Sequence, residues 1–189
     1  MACTMRPALR DDAAEISRVV LCALHESNAR DYGPETIAQV ARGFTPERVA
    51  AMTAERQVFV AMDSGRLVGT ASRDGAIVRA VFVAPDAQGE GIGRALMAAV
   101  ERAAEAAGVA ALTLQSSLTA TGFYDRLGYR PVRENLHGEE RTIVMEKRLV
   151  RGQVGALSRL SGSTPHDSGG CACRQACGSS KANPSPGRL

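Results

Sequence analysis

The sequence predicts an α/β domain: a mixed, mostly antiparallel sheet with helices on both faces. Three observations predict it. The β-rich runs QVFVAMD, RLVGTAS and AIVRAVFV follow one another from residue 57 to residue 83, separated only by Asp63-Ser64-Gly65 and Asp74-Gly75. Both separators are hairpin-turn chemistry, so these strands are antiparallel neighbours. On either side, apolar residues recur at helical spacing. Finally, QGEGIGR (residues 88 to 94) passes a strand straight into an alanine-rich helix.

The elements follow in order. Thr4 to Ala8 reads as a short strand. Asp12 with Glu15 three residues on has the form of a capping box. Behind it Ile16, Val19, Val20, Ala23 and Leu24 make residues 12 to 29 an amphipathic helix. A weaker helix is expected from Glu35 to Arg42. Thr45-Pro46-Glu47 then supplies a cap residue, a first-turn proline and a first-turn acid for another. After the three strands and the glycine stretch, Leu96, Val100, Ala103 and Ala107 mark one face of a helix that Gly108 ends. ALTLQS is a strand, TATGFYDRLG a short helix, and YRPVREN and ERTIVMEKRL are two closing strands.

From about residue 151 the composition changes. GSTPHDSGG and GSSKANPSPGRL are rich in Gly, Ser and Pro, so the domain is expected over 1–150 with a disordered basic tail over 151–189. The net charge of +3 belongs to that tail, where Arg151, Arg159, Arg174, Lys181 and Arg188 face Asp167 alone. The domain itself is close to neutral, which excludes a nucleic-acid-binding face. No stretch approaches a membrane span and the first residues lack an apolar signal region, so a cytoplasmic protein without a membrane partner is expected. Hydrophobic residues at 44% suffice for a core, and the absence of Trp leaves it aliphatic.

An odd count of five cysteines argues against a disulfide framework. Cys171, Cys173 and Cys177 with His166 could ligate one zinc by number, but C-x-C-x-x-x-C lacks paired C-x-x-C knuckles. No metal is expected.

Three glycines at a strand-to-helix junction need a reason, because each costs conformational entropy on folding. The N–H groups opening the following helix lack intrahelical partners and stand at its positive dipole end, a place suited to phosphate. A dinucleotide fingerprint would need glycine where Arg94 stands, and a P-loop would need Gly-Lys-Ser/Thr. What remains is Gln88-x-x-Gly91-x-Gly93, and further on Ser117-Leu118-Thr119-Ala120-Thr121-Gly122-Phe123-Tyr124-Asp125-Arg126-Leu127-Gly128-Tyr129.

The first motif resembles Q/R-x-x-G-x-G/A, the pyrophosphate signature of the GNAT acetyltransferase superfamily. The second resembles its N-x-x-A-x-x-F-Y-x-x-x-G-F/Y, one helix and one strand lie between them as in the family, and the pattern covers about residues 4 to 149. The resemblance implies acetyl-CoA as cosubstrate, with pyrophosphate over Gln88, Gly89, Glu90, Gly91, Ile92, Gly93 and Arg94. Pantetheine would lie in a splay between AIVRAVFV and ALTLQSS, paired with the backbone of Phe82 and Val83, where one N–H faces the oxyanion. Tyr124 takes the family position that protonates the leaving thiolate, the alternative being a packing residue beside Phe123. Ser117 stands where many relatives have an Asn that reaches CoA; a helix-entry cap is the other reading. Some relatives carry a base eleven residues before the loop's Gln, and here that residue is Ile77. Glu26, Asp31, Glu134, Glu139, His25 and His137 remain weak candidates for the base.

The implied function is an N-acetyltransferase moving acetyl from acetyl-CoA to a primary amine by direct attack in a ternary complex. The alternative is a non-catalytic acyl-CoA-binding or sensing domain. A homodimer is left open.

Overall fold

The two hairpins of the computed structural model form where turn chemistry places them. The model describes residues 3–27, 29, 32–137 and 140–149, and the tail expected from 151 lies outside them. β2 (Gln57–Asp63), β3 (Arg66–Asp74) and β4 (Ile77–Val83) pair antiparallel, and β1 (Thr4–Pro7) adds antiparallel to β2. On the other side β5 (Ala111–Ser117) pairs antiparallel with β7 (Glu140–Arg148), and β7 with β6 (Arg130–His137). The seven-stranded order is β1-β2-β3-β4-β5-β7-β6, and its single parallel contact joins β4 to β5. The sheet is mixed and mostly antiparallel, as expected.

Helices cover both faces. α1 (Ala13–Glu26), α2 (Pro34–Ala41) and α3 (Pro46–Glu55) precede the hairpins, α4 (Ile92–Ala106) follows the glycine loop, and α5 (Thr121–Arg126) follows β5. β3 runs through the centre and is buried from Leu67 to Arg73. Successive residues there point to opposite faces. A Cβ on Gly69 would stand 3.0 Å from Leu96 and 3.2 Å from Ile92 of α4. The next residue, Thr70, borders a small void with Ile16 of α1 and Val49 and Met52 of α3. Glycine at 69 therefore lets α4 approach the sheet closely.

Arg73 is 5% exposed, and its guanidinium is satisfied by Gln57 Oε1 at 2.7 Å, the Gly75 carbonyl at 2.6 Å and the Ala103 carbonyl at 3.1 Å. Ala103 lies in the last turn of α4, where the dipole is negative and a cation is favoured. Thr45 caps α3 by accepting from the Arg48 N–H, as its sequence signature predicts.

The capping box expected at Asp12 and Glu15 does not form. A 3₁₀ turn over Arg10–Asp12 runs straight into α1, so Asp12 has helical backbone and its side chain turns back. It accepts from the Leu9 N–H at 2.7 Å and from both terminal nitrogens of Arg6 at 2.7 and 2.8 Å. The helix ends at Glu26 rather than near residue 29, with Ser27 as its C-cap. The Arg6 hydrogen bond, helped by the Leu9 N–H and opposed by burial, holds the Asp12 carboxyl below its ordinary value of 3.8. Asp12→Asn is expected to lower stability by about 1 kcal/mol at neutral pH. A carboxyl with a lowered folded pKa contributes fully above its unfolded value and loses that contribution as pH falls through the folded one. The urea midpoints of the two proteins should therefore converge below about pH 4. A gap that persists at about pH 2 would assign the loss to shape rather than charge.

No described helix is long and apolar enough to cross a membrane.

Candidate functional site

The sheet opens between β4 and β5. Their parallel register is limited to Ile77 opposite Thr113, with the Thr113 N–H donating to the Ala76 carbonyl at 2.9 Å. Beyond that contact two cavities of about 460 and 540 Å³ share a wall of Val81, Phe82, Gln88, Ala120 and Tyr124. The larger adds Val83, Gly89, Gly91, Gly93 and Arg94, so it takes in the glycine loop. The smaller lies against Gln115, Ser116 and Ser117 of β5.

The loop is built for approach to its backbone. A 3₁₀ turn at Pro85–Ala87 leads into Gly89 (φ +86°) and Gly91 (φ +81°), both in the left-handed region that glycine alone enters freely. Nothing lies within 4 Å of where a Cβ would stand at either position, so the space over them is open to a ligand. Gly93 differs: a Cβ there would come within 3.1 Å of the Phe123 ring. Its glycine joins the two motifs by letting α5 pack on α4.

The side chains in this stretch divide. Ile92 is 4% exposed and packs toward Gly69, so only its backbone belongs to the site. Glu90 borders neither cavity; burial, then the carboxylates of Asp63 and Glu90, push the Cys3 thiol up. Arg94 does border the larger cavity, and so does Arg126 at the end of α5, which the sequence reading did not single out. Gln88 borders both cavities, but its amide is held by protein, donating to Ser27 Oγ at 2.8 Å and to the Val83 carbonyl at 3.2 Å. It fixes the loop against the end of α1.

Strand pleating corrects one expectation. The Ala84 N–H donates to Val68 on β3, so alternation turns the backbone of Phe82 toward β3 as well. The open edge of β4 then belongs to Val81 and Val83, and Gln88 reaching the Val83 carbonyl agrees. Phe82 contributes its ring, set edge-on to Phe44 at 5.5 Å.

Tyr124 stands in the wall between the cavities, 9% exposed, with its ring edge-on to Phe123 at 5.0 Å and to Tyr129 at 6.0 Å. Burial, reinforced by Tyr32, pushes its phenol up to about 12. That is about 3.5 units above an ordinary thiol, so complete proton transfer to a free thiolate costs roughly 5 kcal/mol. The group is a hydrogen-bond donor at any physiological pH. Ser117 Oγ accepts from the Ala120 N–H at 3.3 Å, closing the turn into α5, and the residue also borders the smaller cavity.

No carboxylate or imidazole borders either cavity among the described residues. His25 and Glu26 are exposed on α1, and Glu134 is paired with Arg141 at 2.8 Å. Asp31, Glu139 and the His137 side chain lie outside the described residues. No group of three metal-ligating side chains forms among the described residues, and Cys171, Cys173 and Cys177 lie outside them.

Residues 28–149 match the family model described as an acetyltransferase (GNAT) domain. Among solved structures the chain is similar to a GCN5-related N-acetyltransferase from Rhodopseudomonas palustris, at 28% identity and TM-score 0.72, covering 79% of this chain and 97% of that one. It is also similar to the PaiA N-acetyltransferase of Thermoplasma acidophilum in complex with coenzyme A, at 17% identity, TM-score 0.69 and coverage of 78% and 99%. A phosphinothricin acetyltransferase from Sinorhizobium meliloti in complex with acetyl-CoA gives 21% identity, TM-score 0.61 and coverage of 82% and 92%. No curated protein sequence matches the chain.

Proposed function

The chain belongs to the GNAT acetyltransferase family, and from that premise we propose that it moves acetyl from acetyl-CoA to a primary amine by direct attack. The observation that carries this is one phenol in the wall between two cavities, one bordered by open glycines and by Arg94 and Arg126, the other by neutral polar groups and Arg79.

In this reading the pyrophosphate lies over Gly89 and Gly91 at the start of α4, with Arg94 and Arg126 beside it. Backbone N–H groups and guanidinium forks both suit phosphate. Pantetheine runs along the open edge of β4, and an N–H of Val81 or Val83 donates to the acetyl oxygen as it gains charge. The amine nitrogen attacks the carbonyl carbon from the smaller cavity. The C–S bond breaks, sulfur leaves with the electron pair, and the Tyr124 hydroxyl donates to it.

The acceptor must first lose a proton. A lysine-like amine is about 3.4 units from neutral at pH 7, roughly 4.6 kcal/mol. With no described base at the cavities, that proton leaves through water. The value of kcat/KM should therefore rise about tenfold per pH unit up to the acceptor's own pKa, without a bend between about pH 6 and 8. Release of free CoA with an amine panel across that range is the test. A bend near pH 6.5 would mean that a protein group takes the proton.

The same absence of a base favours a second reading, an acyl-CoA-binding or sensing domain. Tight acetyl-CoA binding without CoA release on any amine would establish it.

A further inference from the structure

We propose that the acceptor is a small amine whose own skeleton carries an anionic group, recognised by Arg79. This rests on the reading that the acceptor occupies the smaller cavity.

Arg79 is the one formally charged residue bordering that cavity among the described residues. The other polar groups there are neutral, Gln115, Ser116 and Thr119 among them, and among the described residues no carboxylate borders the space. A diamine or polyamine would meet a cation there and no carboxylate among the described lining residues. A carboxylate, phosphonate or phosphinate would find a planar fork of donors suited to paired oxygens.

The backbone aims this side chain. On β3 and β4, Ser72 pairs with Ala80 and Arg73 with Val78, so Arg79 is the extra residue of a β-bulge. A bulge re-aims the side chain it carries and frees it from the regular alternation. Its ion pair with Asp74 is a single contact of 3.4 Å from Nη2, between two exposed side chains, which leaves the other donors of the fork available.

A second arginine borders the adjoining space. An adjoining cavity of about 210 Å³ shares Val78, Arg79, Leu114 and Gln115 with the acceptor cavity and adds Arg133 from β6. The anionic end of the acceptor therefore lies toward the β4–β5 contact. Its amine lies toward Tyr124. Arg79 precedes Phe82 by three residues, about 10 Å of strand, which leaves room for a few carbons between the two ends.

The test is steady-state CoA release by the purified full chain with matched acceptors: α-amino acids against their amides, and ω-amino carboxylates and aminophosphonates against neutral amines and diamines. The anionic member of each pair is expected to have a kcat/KM higher by about 10- to 100-fold, the range for one charged hydrogen bond. Arg79→Gln should bring that ratio close to one, mainly through the KM of the anionic acceptor, and Arg79→Lys should restore part of it. The melting temperature of both variants serves as the check on folding. Equal or better use of amides or diamines by the wild type would overturn the proposal, as would an Arg79→Gln loss shared equally by both members. Those outcomes leave acetyl transfer standing. Acetyl-CoA binding with no turnover of any amine would instead overturn the catalytic reading, and this one with it.

Discussion

Gly91→Asp is expected to abolish acetyl-CoA binding, weakening it by at least ~100-fold, or about 2.7 kcal/mol. Gly91 is the N-cap of α4 at φ +81°, with nothing within 4 Å of its missing Cβ. An aspartate there fills the open space with a carboxylate where phosphate oxygens would sit. It also strains the backbone, by about 1 kcal/mol for a non-glycine residue in this region. Gly91→Ala carries the strain without the charge and separates the two effects. Calorimetric titration should show Gly91→Ala binding within about tenfold of wild type and Gly91→Asp not binding, a difference set by charge rather than strain. Equal affinity in a folded Gly91→Asp protein would remove the loop from the phosphate site.

Tyr124→Phe is expected to cut turnover by roughly 10- to 10³-fold, overlapping the range for a general acid, while acetyl-CoA affinity changes little. The ring packs on Phe123 and Tyr129 and the substitution keeps that packing, so only the hydroxyl is lost. With its phenol pushed up to about 12, the wild-type residue would act, in the proposed reaction, by donating to charge as it builds on sulfur. Such an interaction strengthens only toward the transition state, so the loss belongs in kcat as well as kcat/KM. It should shrink with an acyl donor whose leaving thiol has a lower pKa. Wild-type turnover by Tyr124→Phe, with chemistry rate-limiting, would make Tyr124 a packing residue.

Much of this was legible in the chain because the signals are local. Asp63-Ser64-Gly65 and Asp74-Gly75 fix two hairpins from within a few residues, and Thr45-Pro46 starts α3 as written. The last two strands were legible as strands, but β7 inserts between β5 and β6, an order that no local signal gives. What was not legible depends on register and distance. Whether Phe82 or its neighbours face the splay turns on which residue pairs with β3, and one bulge at Arg79 resets that phase. Arg126 carries no signal in the sequence, because it borders the larger cavity only through the placement of α5 beside the glycine loop. Gly93 looked like part of a phosphate cradle, yet its missing Cβ is explained by Phe123, thirty residues on. The capping box at Asp12 fails because Arg6, six residues earlier in β1, takes the carboxylate, and a side chain has only one direction to take. Positive φ with empty space above is shared by the turn glycines Gly65 and Gly75, so it is the strand-to-helix position of Gly89 and Gly91, beside the larger cavity, that points to a ligand.

Diffraction from crystals grown with acetyl-CoA tests the central claim most directly. The account predicts pyrophosphate oxygens on the backbone of Gly89 and Gly91, pantetheine along the Val81 and Val83 edge, and the thioester sulfur within hydrogen-bond reach of Tyr124 Oη. The cavity bordered by Arg79 and Gln115 would remain open on the far side of the acetyl group. Acetyl-CoA lying across that cavity, or bound with its thioester away from Tyr124, would contradict it.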